Sequence, residues 1–217
     1  GNAVAMPWID RVPAVLEAWF SGSEAGNALA DVVFGAVNPS GKLPFTFPVR
    51  LEDNGAHALG EYPGADKVKY NESIFVGYRW HDKEQLKPLF AFGHGLSYTA
   101  FAVGNVKADR TTLAPNGSIR ISADVTNTGD RAGAEVVQLY IGDEQSSLPR
   151  PVKELKGFQK VSLNPGQTQT VTFEITPGML QYYDDAKGAW VAEPGAFTAY
   201  VGVASDDIRG TVEFELK

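Results

Sequence analysis

The stretch Phe90-Ala91-Phe92-Gly93-His94-Gly95-Leu96-Ser97-Tyr98-Thr99-Ala100-Phe101 divides two kinds of sequence. Before it stand one helix-like pattern, short apolar runs and a long polar loop. After it come roughly seven alternating runs separated by turn residues, the spacing of an all-β unit. Phe90, Phe92 and Tyr98 flank Gly93 and Gly95. Aromatic rings bury large areas, and glycine accepts backbone geometry that other residues resist. The segment is therefore expected to be a packed junction between two domains, 1–99 and 100–217. His94 reads as a hydrogen-bonded junction histidine rather than a catalytic one, because no nucleophile or second histidine lies near it in sequence.

Downstream of the junction the period is two. Ile119, Ile121, Ala123 and Val125 alternate with Arg120, Ser122, Asp124 and Thr126, the pattern of a half-buried strand. Further strands are expected over 101–109, 134–141, 152–163, 168–175, 196–203 and 211–216. A hairpin is expected over 181–191 around Asp184-Asp185-Ala186-Lys187-Gly188. Turns fall at Pro115-Asn116-Gly117, Asn127-Thr128-Gly129-Asp130 and Asn164-Pro165-Gly166. This pattern predicts an immunoglobulin-like β-sandwich without the cysteine pair of antibody domains.

Upstream, Ala14 to Phe20 is an apolar run of strand length closed by Ser21-Gly22, suited to a buried parallel strand. Glu17 within it reads as a strand-edge carboxylate paired to a neighbour, with a site role as the alternative. Ser23 is placed as a helix N-cap. Ala28, Leu29, Val32 and Val33 share one face of the helix that follows, and Gly35 ends it. Strand, glycine turn and helix make half of a βαβ unit. The Gly22…Gly26 spacing is no phosphate loop, since no Gly-Lys-Ser/Thr follows; plain packing and proximity to a ligand cleft both remain open. Lys42 to Pro48 alternates, with two prolines that favour an edge position. Residues 49–73 read as a loop in which Tyr62, Tyr70 and Glu72 either face a sugar or pack on a neighbouring domain. Residues 74–80 read as a strand, and Asp82-Lys83-Glu84 as a solvated turn.

Four ordered motifs carry a resemblance. Ala18 to Ala28, Asn38-Pro39-Ser40-Gly41-Lys42-Leu43-Pro44, Phe92 to Tyr98, and Arg150-Pro151-Val152-Lys153-Glu154-Leu155-Lys156-Gly157-Phe158 resemble segments of family 3 glycoside hydrolases, the β-glucosidase family. The resemblance covers the whole chain. It implies a partial α/β sandwich, the C-terminal part of a flavodoxin-like α/β domain, followed by a fibronectin type III-like β-sandwich. It also implies that the full enzyme removes terminal non-reducing β-D-glucosyl residues with retention. In that family the aspartate nucleophile comes from an N-terminal barrel and the acid/base, typically a glutamate, from a second-domain loop. Both are expected upstream of Gly1, so no catalytic residue is assigned here and the chain alone is expected to be inactive. The missing barrel and the first part of the α/β domain are the expected partners, attached covalently or as a nicked complex.

Composition narrows the remaining choices. The 217 residues carry 19 basic and 26 acidic side chains, a net charge of −7. The imbalance is even, with 8 basic and 11 acidic residues before Ala100 and 11 and 15 after it. Without a basic run, nucleic acid and anionic membranes are poor partners. The absence of cysteine excludes disulfides and thiolate metal sites and leaves the compartment open between periplasmic or secreted and cytoplasmic. His57, His81 and His94 are too dispersed for a histidine-rich metal site, and no cofactor is expected. Asp184 and Asp185 are neighbours on a hairpin, read as a turn rather than a catalytic pair. Asn71-Glu72-Ser73 and Asn116-Gly117-Ser118 fit the glycosylation sequon. The alternative to an enzyme portion is a non-catalytic module, in which Tyr182, Tyr183 and Trp190 form a carbohydrate-binding platform or an interaction surface.

Overall fold

The computed structural model describes residues 2–217. Ten strands follow Thr99 where the alternation predicts roughly seven, most of them in two facing sheets. β1 (Phe101–Ala108), β3 (Ile119–Asn127) and β6 (Thr168–Ile175) form one sheet in the order β1-β3-β6. The second holds β2 (Thr112–Leu113), β10 (Asp207–Leu216), β9 (Gly195–Ala204), β4 (Gly133–Asp143) and β5 (Glu154–Leu163), in that order. β7 (Tyr182–Asp184) and β8 (Ala189–Val191) pair as a separate hairpin. The pairing is antiparallel except between β10 and β2.

Alternation explains the core. Ile119, Ile121, Ala123 and Val125 of β3 point inward and meet Val137, Leu139 and Ile141 of β4 in one apolar cluster. Phe173, Phe197 and Phe214 fill it further, the last two stacked at 5.7 Å. Burying such side chains supplies about 25 cal/mol per Å², which is how a sandwich without disulfides is held. Two elements escaped the sequence pattern, the two-residue β2 and the short helix α4 (Pro177–Leu180). Both are too short to show a period.

The first 98 residues are organised differently. They contain α1 (Ala25–Val33), α2 (Gly55–Ala58), α3 (Tyr78–Lys83), two 3-10 turns and one isolated bridge between Phe47 and Phe90. Apart from that bridge Lys42–Pro48 forms no strand, with bends at Pro44 and Phe45, so the edge strand its alternation suggests is reduced to one residue. Residues 14–20 form no strand. They form no regular element and are largely exposed, and Trp19 turns away at a φ of 50°, its amide donating to Glu17 Oε1 at 2.9 Å. A parallel strand exists only through its neighbours, and the described residues supply none on either side. Glu17 is thus tied within its own turn rather than across a strand pair. Residues 74–80 are not a strand either. Gly77 takes a φ of 59° as the N-cap of α3, which breaks the run before Tyr78. Asp82 and Lys83 consequently end a helix instead of forming an open turn. The cap of α1 is Glu24, not Ser23, and its side chain makes no capping bond. Gly22 and Gly26 have open space where a Cβ would sit, so intrachain packing does not require either glycine.

Apolar burial is lopsided. Among the described residues, Met6, Phe47, Trp80 and Ala91 are the buried apolar side chains of the first half, against 22 in the second. Leu29, Val33 and Phe34 on and after α1 are 44%, 61% and 87% exposed, and Phe20 is 90% exposed. The apolar face of α1 read from its sequence exists, but nothing among the described residues covers it.

The junction itself is closely packed. Gly93 has a φ of 82°, and a Cβ there would lie inside the van der Waals envelope of the Gln138 amide. A Cβ on Gly95 would collide with the Gly41 carbonyl. Both glycines are fixed by close approach. Gly93→Ala is expected to destabilise the chain by about 2–3 kcal/mol, combining left-handed strain with a steric clash; urea unfolding of variant and parent measures it.

Candidate functional site

Strand β4 is buried on both faces, and its second face carries the junction. Gln138 Nε2 donates to the Val203 carbonyl at 2.7 Å and to the Gly93 carbonyl at 3.2 Å, while the Tyr140 hydroxyl donates to Gln138 Oε1. Tyr140 lies edge-on to Tyr78 at 5.7 Å, and Tyr78 stacks on Phe92 at 5.0 Å. Burial, with Tyr78 and Asp82 nearby, pushes the Tyr140 hydroxyl well above its ordinary pKa. It therefore remains a neutral donor. The Tyr78 hydroxyl accepts the Leu155 amide at 2.9 Å, and the Ser205 amide donates to the Phe92 carbonyl at 2.9 Å.

Ion pairs close the same seam. Lys42 Nζ reaches Glu135 Oε1 at 2.6 Å and donates to the Gly95 carbonyl at 2.8 Å. Lys153 Nζ meets Asp82 Oδ2 at 2.6 Å. Within the sandwich, behind the seam, Arg150 bonds Asp143 at 3.0 Å, Glu154 at 2.8 Å and the Leu180 carbonyl at 2.9 Å. Arg79 of α3 adds a contact to Glu154 at 3.5 Å. At the far end of the seam, Asn38 Oδ1 accepts from Ser97 Oγ and the Tyr98 amide, and its Nδ2 donates to the Ala132 carbonyl at 2.9 Å. The Asn38 and Lys42 segment thus meets the sandwich at Ala132 and Glu135, while the Arg150–Phe158 segment receives α3 through Lys153, Glu154 and the Leu155 amide.

Between α3 and the β9–β10 turn this interface leaves a cleft of about 390 Å³, lined by Thr46, Tyr78, His81 and Asp82 on one side and Ser205 and Asp206 on the other. Thr46 and His81 are buried, yet Thr46 Oγ1 and His81 Nε2 have no hydrogen-bond partner.

The residues singled out in the sequence are scattered. His94 is half-buried and stacks on Phe90 at 5.4 Å. Its backbone, rather than its ring, makes the junction bonds: His94 O accepts from Leu43 N at 2.8 Å. Burial holds its pKa below the ordinary histidine value. Tyr62 lies against His57 at 5.0 Å and is exposed, as is Tyr70. Glu72 is buried, packing its Cβ close to Gly55, and its Oε2 has no partner. Asn71 of the first sequon donates to Glu61, whereas Asn116 is exposed in its turn. Asp184 Oδ1 accepts the amides of Ala186 and Lys187, and Oδ2 pairs with Lys187 Nζ at 2.8 Å, so this carboxylate builds its turn. Tyr183 and Trp190 do come together. They are cross-strand partners at 5.6 Å, edge to face, and 49% and 65% exposed. Tyr182 points elsewhere, beneath the Arg150 guanidinium at 5.4 Å. Among the described residues no group of histidine and carboxylate side chains is arranged to hold a metal.

Two family models match this chain. The glycosyl hydrolase family 3 C-terminal domain covers residues 1–98, and the fibronectin type III-like domain covers residues 135–205. The chain belongs to glycoside hydrolase family 3. Among its relatives, the β-glucosidase BoGH3A of Bacteroides ovatus is 53% identical over 99% of the chain and 29% of its own length. The thermostable β-glucosidase B of Acetivibrio thermocellus is 49% identical over 96% of the chain and 27% of its own length. Two solved structures superpose on all of it. A Kluyveromyces marxianus β-glucosidase in complex with glucose gives a TM-score of 0.91 at 42% identity, with 26% of that protein covered. DesR, a β-glucosidase from Streptomyces venezuelae in complex with D-glucose, gives 0.92 at 40%, with 28% covered. The chain thus spans between a quarter and three tenths of the length of these relatives, as a C-terminal portion of the family 3 architecture.

Glu154 offers a pH test of the seam. Burial opposes its charge, but Arg150, Lys156 and Arg79 outweigh that and hold its pKa below the ordinary glutamate value. A carboxylate depressed on folding contributes stability in full above its unfolded pKa and loses it as pH falls through the folded one. Replacement by glutamine (Glu154→Gln) should therefore destabilise at neutral pH, with the gap from the parent closing on acidification below about pH 4. Chemical denaturation across pH measures this.

Proposed function

We propose that this chain is the C-terminal portion of a retaining β-glucosidase that removes terminal non-reducing β-D-glucosyl residues. Its likeness over its full length to several β-glucosidases supports the reading. So does the lopsided burial: the uncovered apolar face of the first half is the surface an upstream catalytic part would occupy. Retaining hydrolysis needs a carboxylate nucleophile and a carboxylic acid/base about 5–5.5 Å apart. In this reading both lie N-terminal to the chain. The domain boundary falls between Thr99 and Ala100, just ahead of β1.

The division of labour is then physical. The upstream part performs the chemistry, the first 98 residues dock onto it through α1 and the 14–20 segment, and the sandwich braces the dock from behind through β4. The purified 217-residue chain should release no aglycone from an aryl β-glucoside. The longer protein should release it, giving β-glucose as the first-formed sugar by NMR. Turnover by the chain alone, or α-glucose as first product, would refute the proposal.

A second reading rests on one observation, the exposed Tyr183–Trp190 pair. Aromatic faces suit the C–H faces of pyranose rings, so the hairpin could hold a glucan chain for the enzyme. Affinity electrophoresis on soluble glucan should show retardation that Trp190→Ala abolishes, with hydrolysis of small aryl glucosides unchanged. Equal mobility with and without glucan removes this reading.

A further inference from the structure

One side of the sandwich asks for no partner. On the outer face of the β1-β3-β6 sheet the polar side chains satisfy one another. Thr126 and Thr168 share a hydrogen bond of 2.8 Å, Thr170 Oγ1 donates to Asp124 Oδ1 at 2.6 Å, and Asn105 Nδ2 donates to Asp124 Oδ2 at 2.7 Å. Among the described residues no large apolar side chain is exposed on these three strands. The other sheet differs at one margin. Phe158, on the edge strand β5, is the register partner of Gln138. Partners in antiparallel strands project from the same face. Phe158 therefore stands on the face that receives the first half, one strand outward from the Gln138 amide, and it is 67% exposed.

Apolar exposure continues along both lips of the seam from there. Leu155 and Tyr140 form another cross-strand pair of this face, where the Tyr78 hydroxyl closes the contact. Val76, two residues before Tyr78, and Val152, next to the Lys153 that pairs with Asp82, are both exposed. Leu96 adjoins Gly95, whose carbonyl shares the Lys42 ammonium with Glu135, and is 78% exposed. Val76 and Leu96 come from the first half, Val152 and Phe158 from the second. A lone exposed apolar group needs no explanation, but a strip of them marks a contact surface. The nearby charges are already paired, Lys42 with Glu135 and both Arg79 and Lys156 with Glu154, so covering the strip would strand no lone ion.

The occupant follows from continuity. The strip crosses the seam from the half whose own apolar surface is uncovered, and most of the length of the relatives lies outside the part they share with this chain. We infer that the strip seats the upstream part of the longer protein, so that the sandwich touches the catalytic part directly as well as bracing its dock. The inference rests on the reading of the chain as the C-terminal portion of that enzyme. Contact across both lips also clamps the seam shut.

Hydroxyl-radical footprinting of the longer protein, read by mass spectrometry, reports cover one side chain at a time. Rates are referred to the urea-unfolded protein, with Phe197 and Phe214 as the buried standard. Phe158 and Leu96 should lose reactivity down to the level of those two. Phe20 and Phe34 report separately on cover of the first half. Phe158 is decisive, because it belongs to the sandwich. If it stays reactive while Phe20 and Phe34 are protected, the strip is not a dock and the enzyme reading stands. Reactivity at all three overturns both. Protection of Phe158 that is lost on dilution, as light scattering records dimers giving way to monomers, assigns the strip to a second copy and overturns the inference too.

Discussion

Burial of β4 on both faces governs the architecture. One face, through Val137, Leu139 and Ile141, completes the sandwich core. The other, through Gln138 and Tyr140, receives the Gly93 carbonyl and the Tyr78 ring. A strand with water on one side could fray or slip without consequence for the rest of the chain. Here a slip by one residue would exchange the two faces, setting apolar groups against backbone carbonyls and amides inside the core. The register of β4 therefore fixes the sandwich and the seam together. The glycine at position 93 is the complement on the other side, since only a residue without a Cβ lets the carbonyl reach the amide.

Charge finishes what packing begins. Lys42–Glu135 and Lys153–Asp82 cross the same seam, largely shielded from solvent. Such pairs contribute little net stability once desolvation is counted, but breaking one leaves an uncompensated charge. Their effect is directional: they permit one docking orientation of the first half and penalise its neighbours. The partial α/β region, with few buried apolar groups of its own, keeps its shape largely because the sandwich grips it.

The sandwich was legible because its information is local. Each strand states its inward face by a period of two, and Asn116-Gly117 or Asn164-Pro165-Gly166 state where it turns. The first half was less legible because its information is relational. Ala14 to Phe20 has the composition of a central strand and lacks the neighbours that make one. Ile74 to Trp80 has strand composition too, and the signal against it was one glycine, Gly77, whose positive φ starts a helix. The junction was recognisable from its glycines and aromatics, yet its principal partners, Gln138 and Tyr140, were hidden as ordinary alternating residues of a strand. The cleft could not be read at all. Thr46, His81 and Asp206 are far apart in sequence, and only the docking of the two halves brings them to one wall.

The sandwich core is built from aliphatic side chains and phenylalanine, and this has an optical consequence. The four tryptophans stand at positions 8, 19, 80 and 190. Three belong to the first half, and Trp190 rides exposed on the hairpin. Indole emission is therefore blind to the centre of the β-sandwich. Trp80, a buried residue of α3 with the Lys83 ammonium 5.1 Å from its ring, reports on the gripped half, while Trp190 contributes a solvent-relaxed background. A fluorescence transition would record release of the first half from β4, and circular dichroism would record loss of the sandwich. Where the two curves part, the distance between them measures how far the brace outlasts what it holds.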